Sequence, residues 1–227
     1  ELQVVYEDDL MLIVNKPSGM LSQKASESDI SLNESILSYL IHEGLLSEET
    51  YAVFHPSVAN RLDRNTSGIV LAGKTLAGQQ FLSDILRDRS AKKIYHCIVR
   101  GKVEEEMHLK GYLLKDERSN QVQIFSDETQ DAKPIETAYR PLVVGPDATL
   151  LEVHLITGRS HQIRAHLASI GHPIAGDPKY GDMVWNKKLR QDFSVRSQLL
   201  HAYSITLPDG RTFIADEPEI FSQIMRG

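Results

Sequence analysis

The run Asn60-Arg61-Leu62-Asp63-Arg64-Asn65-Thr66-Ser67-Gly68-Ile69-Val70-Leu71-Ala72-Gly73-Lys74-Thr75 decides how this chain is read. One acid, Asp63, stands between two arginines, and the chain then turns at Gly68 into an apolar stretch. Four successive apolar residues between glycines read as a buried strand. Asp63 therefore sits on the loop that feeds that strand, where a carboxylate is presented at the rim of a cleft and nearby cations favour its charged form. Taken alone, Arg-Leu-Asp-Arg also fits an ordinary surface cluster of ion pairs.

Three further segments change that balance. Lys93-Ile94-Tyr95 opens an alternating stretch, and Thr157-Gly158-Arg159-Ser160-His161-Gln162-Ile163-Arg164-Ala165-His166 places a second cationic cluster at a helix start. Gly171-His172-Pro173-Ile174-Ala175-Gly176-Asp177-Pro178-Lys179-Tyr180-Gly181 follows. With the R-L-D-x-x-T-S-G signature in residues 61–68, these ordered motifs resemble the RluA-type pseudouridine synthase family. The likeness runs from Val14-Asn15-Lys16-Pro17-Ser18-Gly19 to Leu200-His201-Ala202. Asn60 is a departure, because the family usually has His before R-L-D, and it puts one outer contact of the site in question rather than Asp63 itself.

The resemblance implies an isomerase that breaks the glycosidic bond of an RNA uridine, rotates the base and rejoins it through carbon 5. It implies Asp63 as the catalytic acid, Arg164 as its ion-pair partner and Tyr95 as an active-site tyrosine that stacks on the base or removes a sugar proton. A carboxylate against an oxocarbenium-like anomeric carbon is the logic glycosidases also use, as nucleophile or as electrostatic stabiliser. A uridine in structured RNA must be extruded first, so basic side chains should hold phosphates while one fills the vacated stack. Arg61 resembles the family residue proposed for that filling. Arg64, Arg159 and His161 are candidate RNA contacts, Leu200 a candidate wall of the uracil pocket, and Asp177, before Pro178, a turn-shaping residue.

Composition supports an RNA partner only once its distribution is considered. The net charge of −6 runs against phosphate binding. Residues 1–60 carry two basic and ten acidic side chains, whereas residues 61–100 carry eight and three, and residues 157–190 six and two. Both basic blocks hold the motifs above, as a local RNA track on an acidic protein would require. No apolar run approaches the roughly 20 residues of a membrane span, and no basic-then-apolar leader is visible, so a cytoplasmic protein is expected. The single cysteine, Cys97, excludes an intrachain disulfide and reads as buried filler. Residues 1–227 are expected to form a single catalytic domain. The start at Glu1, almost at once in a strand, suggests a lost upstream segment, and no N-terminal RNA-binding module is visible. Oligomeric state is not legible.

Along the chain, Val4–Tyr6 and Met11–Asn15 read as a hairpin. Ser31 and Glu34 have capping-box spacing ahead of Leu32, Ile36, Leu37, Leu40 and Ile41, a helical stripe that Gly44 stops. Leu76–Leu86 has helical spacing, and 93–100 alternates with Tyr95, Cys97 and Val99 on one side. Extended stretches follow at 109–114, 121–125, 136–144 and 150–156, then a helix over 161–170 with Ser160 as its cap. Short strands outnumber helices without regular alternation. This predicts an α+β fold with a central mixed, largely antiparallel sheet, flanked by helices and bearing a catalytic cleft.

Other chemistries fare worse. Gly68–Thr75 satisfies the G-x-x-x-x-G-K-T phosphate-loop pattern of a nucleotide hydrolase, yet Ile69-Val70-Leu71-Ala72 is strand sequence where that loop needs a flexible turn. His154, His161, His166 and His172 invite a metal, but His161 and His166 lie five apart and no Glu accompanies them. No metal or cofactor is expected. Asn65-Thr66-Ser67 is a glycosylation sequon that needs an export signal to matter. A non-catalytic RNA-binding relative is the remaining alternative, and the joint presence of Asp63, Tyr95 and Arg164 argues against it.

Overall fold

The computed structural model describes residues 2–226. Its elements in chain order are β1 (Val4–Glu7), β2 (Met11–Lys16), α1 (Leu32–His42), α2 (Glu48–Val53), β3 (Ser57–Val58), β4 (Ser67–Gly73), α3 (Leu76–Arg87) and β5 (Lys92–Arg100). Then come β6 (Met107–Asp116), β7 (Gln121–Phe125), β8 (Lys133–Val144), β9 (Ala148–Leu155), α4 (Gln162–Ser169), α5 (Met183–Phe193), β10 (Leu200–Thr206), β11 (Thr212–Ile214) and α6 (Glu219–Arg226). The fold is α+β and its strand pairing largely antiparallel, as the sequence predicts.

The chain packs as two compact units, one running through Ala91 and resuming at Ala202–Asp216, the other Lys92–His201 and the residues from Glu217 onward. In the first unit the strand order is β1-β2-β4-β10, with β3 on β4 and β11 on β10. Strand β4 is buried at every position, and its partner β2 is buried from Met11 to Val14. Strands covered on both faces read as continuous apolar runs rather than alternating ones, which is why residues 69–72 lack a polar partner. Helix α1 begins where expected, with the Ser31 amide donating to Glu34 Oε2 at 2.9 Å. Its buried stripe is narrower than expected: Leu32, Ile36 and Leu40 face inward, but Ile41 is exposed.

Gly68 opens β4 with φ +114°, and a Cβ there would overlap the backbone of Ala202. Only glycine combines that dihedral with that closeness.

In the second unit the order is β5-β9-β8-β6-β7. Successive side chains point to opposite faces, and both faces are covered. Ile98 and Leu150 pack with Leu189 of α5 and Phe221 and Ile224 of α6. Leu113, Val122 and Ile135 pack with Ala165 of α4. The expected one-sided alternation of 93–100 is therefore replaced by continuous burial from Tyr95 to Val99. The covering residues come from α5 and α6, far along the chain, so nothing local to 93–100 announces the second covered face.

Candidate active site

Asp63 lies in the first unit, on the loop between β3 and β4. Leu62 is buried, Asp63 half-buried, and Arg61 and Arg64 exposed. The alternation has a simple cause: Leu62 anchors the loop in the core, so its neighbours are turned outward. The Thr66 amide donates to the Asp63 carbonyl at 3.0 Å, closing a turn directly before β4. Asn60 supports the strand rather than the acid: its Oδ1 accepts from the Leu71 amide at 2.7 Å and its Nδ2 donates to the Ile69 carbonyl at 3.3 Å.

The segment after β2 holds this loop from below. Lys16 is fully buried, and its Nζ donates to the carbonyls of Pro17 (3.0 Å), Met20 (2.7 Å) and Arg64 (3.0 Å). Burial pushes the Lys16 ammonium down to about 8, against the opposing pull of the Asp63 charge. The Gly19 amide also donates to the Arg64 carbonyl (2.9 Å), and the Ser18 hydroxyl to the Asn65 carbonyl (2.9 Å). Ser22 Oγ accepts from the Leu62 amide and donates to the Leu62 carbonyl, both at 3.0 Å. Sequence reasoning passed over Lys16, which enters only within the stretch Val14-Asn15-Lys16-Pro17-Ser18-Gly19 that opens the family likeness. The available signal was a lysine ending the apolar run Met11–Val14, where a buried ammonium must find acceptors.

The second unit carries the remaining candidates. Tyr95 is buried on β5, and Leu200 is buried at the start of β10. Arg164, also buried, faces Asp177 in a two-point pair, with Nε to Oδ2 at 2.7 Å and Nη2 to Oδ1 at 3.0 Å. Asp177 is wholly buried. Burial opposes its charged form, but the hydrogen bonds and charge of Arg164, with the amides of Tyr180 and Lys179, hold the carboxyl below its ordinary value. Those amide bonds, at 3.0 and 2.8 Å, are the turn-shaping role expected from sequence. The grip on Arg164 is a second role that spacing alone did not reveal.

The Arg164 guanidinium also lies over the Tyr180 ring, 5.3 Å from its centre, a favourable cation–π distance. Tyr180 Oη accepts from the Val122 amide (2.9 Å) and stands 2.8 Å from His161 Nδ1. His161, Arg164, Asp177 and Tyr180 thus form one connected cluster.

Helix α4 begins one residue later than expected and Ser160 is not its cap. His161 takes that position in a left-handed conformation, φ 56°. Gln162 accepts from the Arg159 amide (3.1 Å) and from Thr157 Oγ1 (2.9 Å), and donates to the Glu136 carbonyl (3.1 Å). Arg159 itself is exposed. His166 bonds Thr137 Oγ1 at 2.9 Å, and burial pushes it to about 4, so it is neutral at pH 7.

The phosphate-loop reading finds no frame. The glycine-to-glycine stretch 68–73 is β4, Thr75 caps α3, and Lys74 donates to Glu7 Oε1 (2.8 Å) and the Asp8 carbonyl (2.7 Å). Among the described residues no three His, Cys, Asp or Glu side chains converge as a metal site requires, and no helix is long and apolar enough to cross a membrane. Cys97 is buried, which pushes its thiol up.

Comparison with known proteins points one way. The family model described as RNA pseudouridylate synthase matches residues 10–169. The ribosomal large subunit pseudouridine synthase C of Haemophilus ducreyi is 37% identical over 213 residues, 93% of this chain and 63% of that protein. The tRNA pseudouridine synthase C of Vibrio cholerae is 34% identical over 212 residues, 88% of this chain and 83% of that protein. The chain thus spans less than two thirds of the first relative and most of the second. Among solved structures, human RNA pseudouridylate synthase domain containing 4 aligns with a TM-score of 0.78 at 18% identity, over 99% of this chain and 92% of that one. Human RNA pseudouridylate synthase domain containing 1 gives 0.72 at 19% identity, over 100% and 95%. These two agree with the fold derived above, and the matched family model takes in Asp63, Tyr95 and Arg164 alike; the chain belongs to the RNA pseudouridylate synthase family, in the RluA-type branch that its motifs resemble.

Proposed function

We propose that this chain isomerises uridine to pseudouridine in structured RNA, ribosomal or transfer, with Asp63, Tyr95 and Arg164 as its catalytic set. The observation that carries the reading is the presentation of Asp63: a half-exposed acid between two exposed arginines, on a loop whose backbone is tied down on either side of it. Relatives whose names specify ribosomal and transfer RNA support both substrate classes.

In this mechanism the C1′–N1 bond of an extruded uridine breaks while an Asp63 oxygen bonds to C1′ or shields its positive charge. The uracil rotates, C5 bonds to C1′, the C5 proton leaves and N1 takes up a proton. Tyr95 acts at the base, or removes a sugar proton if the reaction runs through a glycal. Arg164 is the cation that favours the ionised acid. Arg61 fills the vacated stack, while Arg64, Arg159 and His161 contact RNA and Leu200 borders the uracil. Residues 1–227 act as one catalytic domain in the cytoplasm, without metal or cofactor.

Mapping pseudouridine across total RNA from cells with and without the gene tests the reading. Loss of discrete sites in ribosomal or transfer RNA, restored by the wild-type gene, is expected. An unchanged map would favour a non-catalytic RNA-binding relative.

A further inference from the structure

Residues 157–190 hold six basic and two acidic side chains, and the fold uses them unevenly. Both acids are engaged inside the second unit: Asp177 grips Arg164, while Asp182 pairs with Arg100 and accepts from the Trp185 amide at 2.8 Å. Among the cations, Arg164 is buried and Lys179 Nζ donates to the Asn120 carbonyl at 2.6 Å. The three cations of α5, Lys187, Lys188 and Arg190, are exposed, and none has an ion-pair partner among the described residues. With 3.6 residues per turn they share one side of the helix with Val184 and Gln191, both exposed, and Leu189 is buried opposite them. The one acid within α5, Asp192, flanks that side. A protein of net charge −6 does not need a bare cationic face for solubility. The helix is also tied to the loop that holds Arg164. Asn186 Oδ1 accepts from the Gly176 amide (2.8 Å) and its Nδ2 donates to the Asp177 carbonyl (2.9 Å), so whatever α5 holds on its outer side is kept in register with Arg164.

We infer that the outer face of α5 binds the phosphate backbone of the RNA substrate through Lys187, Lys188 and Arg190, outside the motifs that carry the chemistry. Residues three apart on a helix are surface neighbours, about 5–6 Å between Cβ atoms, so Lys187 and Arg190 form a paired grip with Lys188 beside them. A face of lysine and arginine with no aromatic ring holds phosphates and does not read bases. The inference rests on RNA being the substrate of this chain. Because these side chains meet only the backbone of the RNA, their loss weakens binding and spares the rate at saturating RNA.

The test compares wild type with the triple variant Lys187→Gln, Lys188→Gln, Arg190→Gln, with Lys187→Gln alone, and with Lys110→Gln, Lys115→Gln, Arg118→Gln, which removes as much charge from β6 and the turn after it. Binding of unmodified transfer and ribosomal RNA from cells lacking the gene is titrated between about 50 and 200 mM salt, and pseudouridine formation is timed at saturating RNA. Each phosphate contact adds about 0.7–0.9 to the slope of log affinity against log salt. The α5 triple variant should therefore lose about 2–3 from that slope and Lys187→Gln about 1, whereas the β6 variant keeps it within about 0.5 of wild type. Near 150 mM salt KM for RNA in the α5 triple variant should rise roughly 10- to 100-fold, with kcat within about twofold of wild type. Wild-type slope and KM in that variant, or an equal loss in the β6 variant, overturns the inference. Anionic phospholipid vesicles that bind wild type but not the α5 triple variant, with RNA binding unchanged, overturn it in favour of a membrane surface. A wild type that forms no pseudouridine but shows the predicted loss of slope in the α5 variants upholds the phosphate contact and removes the reading of the activity. A wild type that binds neither RNA overturns both.

Discussion

Replacing Asp177 by Asn tests the buried pair that holds Arg164. Both side chains lie almost wholly out of water and share two short hydrogen bonds. Removing one partner of a buried ion pair typically costs about 3–5 kcal/mol, because the other charge is left uncompensated. Asn keeps one oxygen, which can still accept from the Tyr180 and Lys179 amides or from one guanidinium N–H, so the lower end, about 3 kcal/mol, is expected. In a chain of this length each kcal/mol shifts Tm by about 2–4 °C, giving a drop of roughly 6–12 °C at pH 7 by thermal circular dichroism. The acid limb supplies a second reading. The folded carboxyl titrates below its ordinary value of 3.8, so its contribution is present above that pH and is lost as pH falls through the depressed value. The gap in Tm between wild type and Asp177→Asn should narrow below about pH 4. A Tm within about 2 °C of wild type at pH 7, or a gap that stays constant into acid, would refute the reasoning.

Three further substitutions or probes follow from the same geometry. Gly68→Ala combines an unfavourable dihedral with a Cβ driven into the Ala202 backbone, so a loss of about 4 kcal/mol or more is expected, seen as insoluble protein or a collapsed melting transition. A soluble variant melting with the wild type would contradict it. Asn60→Ala strands the Leu71 amide in the core and should cost about 1–3 kcal/mol in urea-unfolding free energy while leaving the pseudouridine rate per folded molecule unchanged. Cys97, buried and with its thiol pushed up, should react with an aromatic disulfide reagent only after denaturation. Ready labelling of native protein would show that the β5 layer opens.

Much of this architecture was legible because local chemistry and tertiary context agree. The capping box at Ser31, the strand at 69–72 and the extended stretches at 121–125 and 150–156 each carry their own signal. What escaped notice depends on partners distant in sequence. Helix α2 buries no residue, so it has no apolar stripe to announce it, and α5 buries only Leu189. Ser160 has a good capping side chain, yet His161, in a left-handed conformation, takes the cap position. At the site, Asp63 stands out through its neighbours in the chain. Lys16 and Asp177 do not, because their roles are set by Arg64, 48 residues away, and by Arg164, 13 residues away.

The most direct measurement takes Asp63→Asn, one oxygen exchanged for an amide, and asks two questions of the same sample. The account predicts RNA binding within about threefold of wild type, because the phosphate contacts are untouched, and no detectable pseudouridine after prolonged incubation. Isomerisation by this variant at a rate near that of wild type would contradict the claim that the Asp63 carboxylate acts on the ribose.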